Sequence, residues 1–143
     1  MPKFITKEQS DQIISAIKAA EKNCSGEIRV HFDSHCNGDV LDTAARTFAR
    51  LKMQRTKLRN GVLFYVAFED RQFAVIGDKG INSKVPENFW NGVCDILTEH
   101  FKENDFAGGL SKGIELCGEQ LKKFFPYQDD DVNELPDDIS FGK

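Results

Sequence analysis

No stretch of this chain approaches the ~18 apolar residues that a membrane-spanning helix needs, and no block of lysine and arginine stands out against a net charge of -4. The first absence speaks against a spanning segment. The second disfavours nucleic acid, whose affinity comes mostly from cations on phosphates. The N-terminus lacks a charged start followed by an unbroken apolar run, so it does not read as a signal peptide. The four cysteines, Cys24, Cys36, Cys94 and Cys117, form no CxxC pair. They read as separate thiols in a reducing compartment, with disulfide pairing left open. A cytoplasmic location is the expectation. GxSxG, HExxH, a P-loop and a dinucleotide fingerprint are all missing, which removes the best-known local signatures of hydrolases and nucleotide binders. There is no internal repeat and no low-complexity segment.

What is present suits one soluble domain: 143 residues, 40% hydrophobic and 29% charged. The chain is organised around residues 60–80, NGVLFYVAFEDRQFAVIGDKG. Residues 62–68 are an apolar run, which predicts a strand buried on both faces. Residues 72–76 form a second β-prone run, and Glu69, Asp70 and Arg71 make the charged turn between them. The hairpin is therefore expected to be covered above and below.

The flanking segments supply that cover. Thr6 and Gln9 resemble a capping box for a helix with Ile13, Ile14 and Ile17 on its apolar face, ending near Asn23. Residues 27–32, EIRVHF, alternate, which predicts a half-exposed strand near a sheet edge with Arg29 and His31 facing outward. Asp39 or Asp42 caps a second helix, from Leu41 to about Lys57. Pro86 and Glu87 open a third, interrupted at Asn104 and Asp105. The last helix carries Gly108, Gly109, Gly113 and Gly118, so close packing must hold it, and Pro126 ends it. The acidic stretch from Tyr127 to Lys143 reads as a tail that Leu135, Ile139 and Phe141 could pin to the body. The fold class is α/β: a small mixed sheet with helices on both faces.

Strand, helix, strand implies a parallel pair, and the hairpin then reverses the third strand. Three points should meet at one sheet rim: Glu27, Asn60 with Gly61, and Gly77 with Asp78. Oxygen donors of this kind suit Ca²⁺ or Mg²⁺. The same residues also fit plain turns with solvated carboxylates. A second acidic point is Glu99, Glu103 and Asp105 at the helix break, equally compatible with a solvated helix end. The tail cluster Asp129, Asp130 and Asp131 lacks the spacing of a calcium loop. His31 and His35 with Cys36 do not make a zinc site, because four residues of strand span about 13 Å.

The hairpin motifs, Arg59-Asn60-Gly61-Val62-Leu63-Phe64-Tyr65-Val66-Ala67, Asp70-Arg71 and Ile76-Gly77-Asp78-Lys79-Gly80-Ile81, resemble the core of the TPM domain family. That family is named for a thylakoid lumen protein, a photosystem II repair protein and a modulator of acetylcholine receptors. Ser25-Gly26-Glu27-Ile28-Arg29-Val30 and Phe101-Lys102-Glu103-Asn104-Asp105-Phe106 match in the right order. The ending Asn133-Glu134-Leu135-Pro136-Asp137-Asp138-Ile139-Ser140-Phe141-Gly142 is similar to that of short, stand-alone bacterial members. The resemblance implies a three-layer αβα sandwich over residues 1–126, followed by an acidic C-terminal tail, 127–143. It also implies a divalent cation site, usually calcium, and an acid phosphatase activity in plant members. Carried over by position, Asp78 and Asp105 are the leading ligand carboxylates, with Glu27, Asn60 and Glu103 behind them. The pattern departs at the third strand: many members carry an aromatic and then Gly-Leu-Glu after its first glycine, where this chain has Asp78-Lys79-Gly80-Ile81-Asn82. Many members also carry a signal peptide or membrane anchor, neither of which is read in this sequence.

The expected function is a calcium-binding module, with magnesium as the other candidate ion, that docks to a protein partner. A peripheral membrane partner stays open. The alternative is a metal-assisted acid phosphatase-like hydrolase, in which the ion polarises a phosphoryl oxygen.

Overall fold

The structure, a computed structural model, describes residues 5–126 and 139–142. Thr6 caps α1 (Lys7–Asn23): its hydroxyl accepts from Gln9 N at 3.1 Å, and the Gln9 side chain accepts from Thr6 N at 2.9 Å. The capping box read from four residues is therefore formed, and such a cap is worth about 1 kcal/mol. There follow β1 (Glu27–Asp33), α2 (Val40–Arg50), β2 (Gly61–Ala67), β3 (Gln72–Gly77), the single turn α3 (Lys79–Asn82), α4 (Asn91–Lys102), α5 (Phe106–Leu121) and β4 (Ile139–Phe141). The Asp129, Asp130 and Asp131 cluster and Leu135 lie outside the described residues.

The sheet order is β3-β2-β1-β4. β1 and β2 are parallel, with Glu27 opposite Gly61, and β3 returns antiparallel, with Gly77 opposite Val62. Alternate residues of β2 feed two cores. Val62, Phe64 and Val66 join Ile28, Val30 and Phe32 under α1, α4 and α5. Leu63, Tyr65 and Ala67 face the other way, onto Ala44, Phe48 and Met53 at α2 and the turn after it. The result is the αβα sandwich, and every residue of β2 is buried.

Four expectations are corrected. β1 is not an edge strand: β4 pairs with it on its second side, Val30 opposite Ile139, and His31 is buried. The edge on the hairpin side is β3, in which only Ala74 and Gly77 are buried, so only half of the hairpin is covered on both faces. α2 stops at Arg50 rather than near Lys57, because Lys52 takes a left-handed backbone (φ 59°) and turns the chain. Leu58, beyond the turn, stands exposed, as does Leu41 at the start of α2, while Met53 enters the core. The third helix begins at Asn91, five residues after Pro86.

The glycines of α5 are explained by close neighbours. A Cβ at Gly118 would lie 2.7 Å from the Ala20 Cβ of α1, and one at Gly109 would lie 2.8 Å from His100 of α4. Helix propensity is given up for contact with two helices at once.

Gly80 and Gly92 make a contrasting pair. A Cβ at Gly80 would press on the backbone oxygen of Leu58 and reach 2.6 Å from that of Arg59. At Gly92 the nearest atom is a Leu116 methyl at 3.5 Å. Gly80→Ala should destabilise the domain by about 1–3 kcal/mol. Gly92→Ala should stabilise it by about 0.5–1 kcal/mol. Thermal unfolding of the two variants checks both signs.

Candidate functional site

Topology brings Glu27, Asn60 and Asp78 to one sheet rim, as the strand directions predict, and all three are buried (3%, 2% and 7% exposed). The side chains of Asn60 and Asp78, and the backbone N–H of Glu27, serve the fold. The Asn60 amide donates to Ser25 O at 2.9 Å, and Asn60 O accepts from Glu27 N at 3.2 Å. Asp78 takes a two-pronged ion pair from Arg59, Nε to Oδ2 at 2.7 Å and Nη2 to Oδ1 at 3.0 Å. It also accepts from Lys79 N at 2.8 Å, capping α3. A planar guanidinium matched to a carboxylate in this way already supplies the counter-charge that a cation would bring.

Glu103 and Asp105 occupy the turn between α4 and α5. Asn104 there has φ 60°, which reverses the chain. Asp105 caps α5, Oδ1 accepting from Gly108 N at 3.0 Å, while Oδ2 lies 3.0 Å from His100 Nδ1. The hydrogen bond from His100, with the Gly108 N–H behind it, holds the Asp105 carboxyl below the ordinary range. Its side chain is 45% exposed, and Glu103 is exposed.

The two acidic points are separated by the length of α4. That helix starts where Trp90 packs against Gly77 and ends where Phe101 meets Phe73 edge to face at 5.4 Å, at the far end of β3. Twelve residues of helix rise about 18 Å. Asp78 and Asp105 therefore cannot ligate one ion. Among the described residues no three His, Cys, Asp or Glu side chains gather closely enough to hold a metal.

A third constellation was missed from sequence. It stands where the parallel strands β1 and β2 end, the edge at which α/β sheets commonly bind ligands. His31 and Asp33, two apart on β1, share a face. His31 Nε2 lies 2.9 Å from Asp33 Oδ1, and the Tyr65 hydroxyl donates to Asp33 Oδ2 at 2.7 Å. Ser140 of β4 reaches His31 Nδ1 at 2.6 Å. A carboxylate only accepts, so Nε2 carries the proton and Nδ1 accepts from Ser140. Burial pushes the His31 imidazole below its ordinary value, with Asp33 opposing. Burial and then the bond to Asp33 push the Tyr65 phenol up. The series hydroxyl, imidazole, carboxylate has the order of a catalytic relay. With its ring only 2% exposed, His31 acts as a strut between strands rather than as a base that meets substrate.

Above this strut lies a cleft of about 250 Å³, walled by Asp33, His35 and Asn37 on one side and by Thr43, Arg46, Thr47 and Arg50 of α2 on the other. The loop wall is pinned by His35, whose two ring nitrogens each lie 2.7 Å from a carboxylate of the β2–β3 turn, Asp70 and Glu69. Cys36 N donates to the second Asp70 oxygen at 2.8 Å. The hydrogen bond to Asp70 raises the His35 pKa above its ordinary 6.5. The same bond, from the other side, lowers Asp70.

The two histidines should titrate in opposite senses. The His35 clasp is complete below pH 6.5 and is lost as pH rises through its raised folded value. His31, depressed in the fold, costs stability as pH falls below 6.5 towards its folded value. Imidazole NMR titration should place the His35 midpoint above 6.5 and the His31 midpoint below it. His35→Ala should loosen the amides of residues 34–38 without unfolding the sheet.

Known proteins place this architecture. The TPM domain model matches residues 2–120. The NMR structure of BA42 protein from the psychrophilic bacterium Bizionia argentinensis superposes with a TM-score of 0.94 at 48% identity, covering 99% of this chain and 98% of that one. The N-terminal domain of a P. gingivalis protein gives 0.71 at 17% identity, over 88% of this chain and 83% of that one. That of the cg2496 protein from Corynebacterium glutamicum gives 0.66 at 15%, over 94% and 79%. These last two show the fold alone. No curated protein matches the sequence. Matched by the family model over most of its length, and by BA42 across the whole fold, the chain belongs to the TPM domain family.

Proposed function

We propose that this TPM domain binds a divalent cation, calcium before magnesium, at the turn between α4 and α5, and that the ion orders the turn for docking to a protein partner. One observation carries the choice of place. Of the two acidic points that the sequence singles out, only this one has carboxylates open to solvent with no arginine or lysine ion pair among the described residues. Asp78 is matched by Arg59, so the rim does not fit a cation as it stands.

Two side-chain carboxylates and nearby backbone oxygens form a partial set for an ion that takes six to eight. The ion would keep much of its water, and its affinity would fall in the weak range, on the order of 10⁻⁴–10⁻³ M. A second reading, metal-assisted hydrolysis of a phosphate ester, draws on the cleft at the other face, where Arg46 and Arg50 stand beside Asp33.

Amide NMR during calcium titration tests the first reading. Saturable shifts should centre on residues 103–105, persist in Asp78→Asn and vanish in Asp105→Asn, which keeps a capping oxygen. Saturation at a hundred times Kd should add about 2.7 kcal/mol to stability. Absence of shifts at 103–105 in millimolar calcium rejects this reading. For the second, turnover of a generic phosphomonoester should fall on chelation and in Arg46→Gln/Arg50→Gln; turnover that survives that double change marks a contaminant.

A further inference from the structure

We propose that β3 pairs edge to edge with β3 of a second copy of this chain, so that the two sheets run on as one. The open side of β3 is a row of unanswered backbone groups. Asp78 N donates to Gly61 O at 2.9 Å, which sets the phase of the β2–β3 ladder. Gln72, Ala74 and Ile76 therefore turn their backbone groups towards β2, and Phe73 and Val75 turn theirs away from it. Among the described residues, neither the N–H nor the carbonyl of Phe73 or Val75 has a hydrogen-bond partner. Sheet edges are normally blunted by charge, proline or a bulge. Residues 72–77, QFAVIG, hold no charge and no proline, and their register with β2 is unbroken.

The free groups fit a copy of themselves. In an antiparallel pair with Ala74 on the two-fold axis, Phe73 of each copy stands opposite Val75 of the other, and every outward group of these two residues is used. Moving the axis to Val75 would call instead on Gly77, which is buried and whose carbonyl already accepts from Asn82 Nδ2 at 2.9 Å. The Ala74 register also brings the exposed Glu69 of one copy towards the exposed Lys79 of the other.

Helix α2 points the same way. It lies over β2 and β3, with Ala44 and Phe48 towards the sheet. Thr43, Arg46, Thr47 and Arg50 face the cleft on the β1 side. Helical spacing puts Leu41 and Ala45 on the opposite flank, above the β3 edge. Both are exposed, Leu41 by 57%, so one copy alone leaves this apolar flank bare. Across the axis the two α2 helices, each seated over a β2–β3 pair, stand about 10 Å apart, twice the strand spacing and close enough to pack.

The test is sedimentation velocity of the full chain in EDTA, from about 10 μM to about 1 mM, a range that spans a weak association. A reversible monomer–dimer equilibrium is expected, and the Phe73 and Val75 amides should exchange more slowly with deuterium as concentration rises. Ala45→Glu sets like charges against each other across the axis and should weaken the dimer by about tenfold or more, with the fold retained by amide NMR. Ala45→Ser should leave it unchanged. A chain that stays monomeric throughout overturns the proposal and leaves the edge to a strand from a different protein. A dimer that Ala45→Glu leaves intact, or in which the two amides exchange as in the monomer, overturns it as well. EDTA keeps the result independent of the calcium reading.

Discussion

Two neighbouring parallel strands cannot be joined by a hairpin, and nearly everything in this domain follows from that restriction on β1 and β2. The chain must leave the end of β1, cross one face as α2, and re-enter beside the start of β1. Both strands are then interior, so both faces need cover, and β2 has no residue left for solvent. One rim collects strand starts, with their turns and their fold-serving polar groups. The opposite rim collects strand ends and opens a cleft where the connection climbs away to α2.

The polar groups divide along the same line. At the first rim, Arg59 answers the charge of Asp78, and Asn60 ties two loops together. At the second, charge is layered. A buried strut of His31, Asp33 and Tyr65 lies beneath, a His35 clasp holds the loop, and two arginines stand over it. Buried polar groups are tolerated where each finds its partner, and the strut meets that condition through Ser140.

How much of this could be read in advance depended on range. The capping box at Thr6 and Gln9, the polarity of three strands and the packing role of the α5 glycines are local signals or follow from connectivity, and each is found in the structure. The end of α2 was hidden because Lys52 turns left-handed with no glycine or proline to announce it. The placement of His31 was misread for a deeper reason. Alternation in EIRVHF says which side chains share a face, but not whether a further strand and helix will cover that face. The cleft escaped because Asp33, His35 and Arg50 belong to three different segments with ordinary spacing. Its one visible trace was the i, i+4 pair of arginines, Arg46 and Arg50, on the helix after β1.

β4 joins β1 only after more than a hundred intervening residues, since His31 and Ser140 are 109 positions apart. As the chain leaves the ribosome, β1 emerges early and its last neighbour emerges after every helix has been made. Until then the imidazole has one nitrogen without its serine, and one strand flank is open to water or to a chaperone. Completion of the sheet is therefore a late, entropically slow closure, and the sealing of His31 dates the moment at which the nascent chain becomes the finished domain.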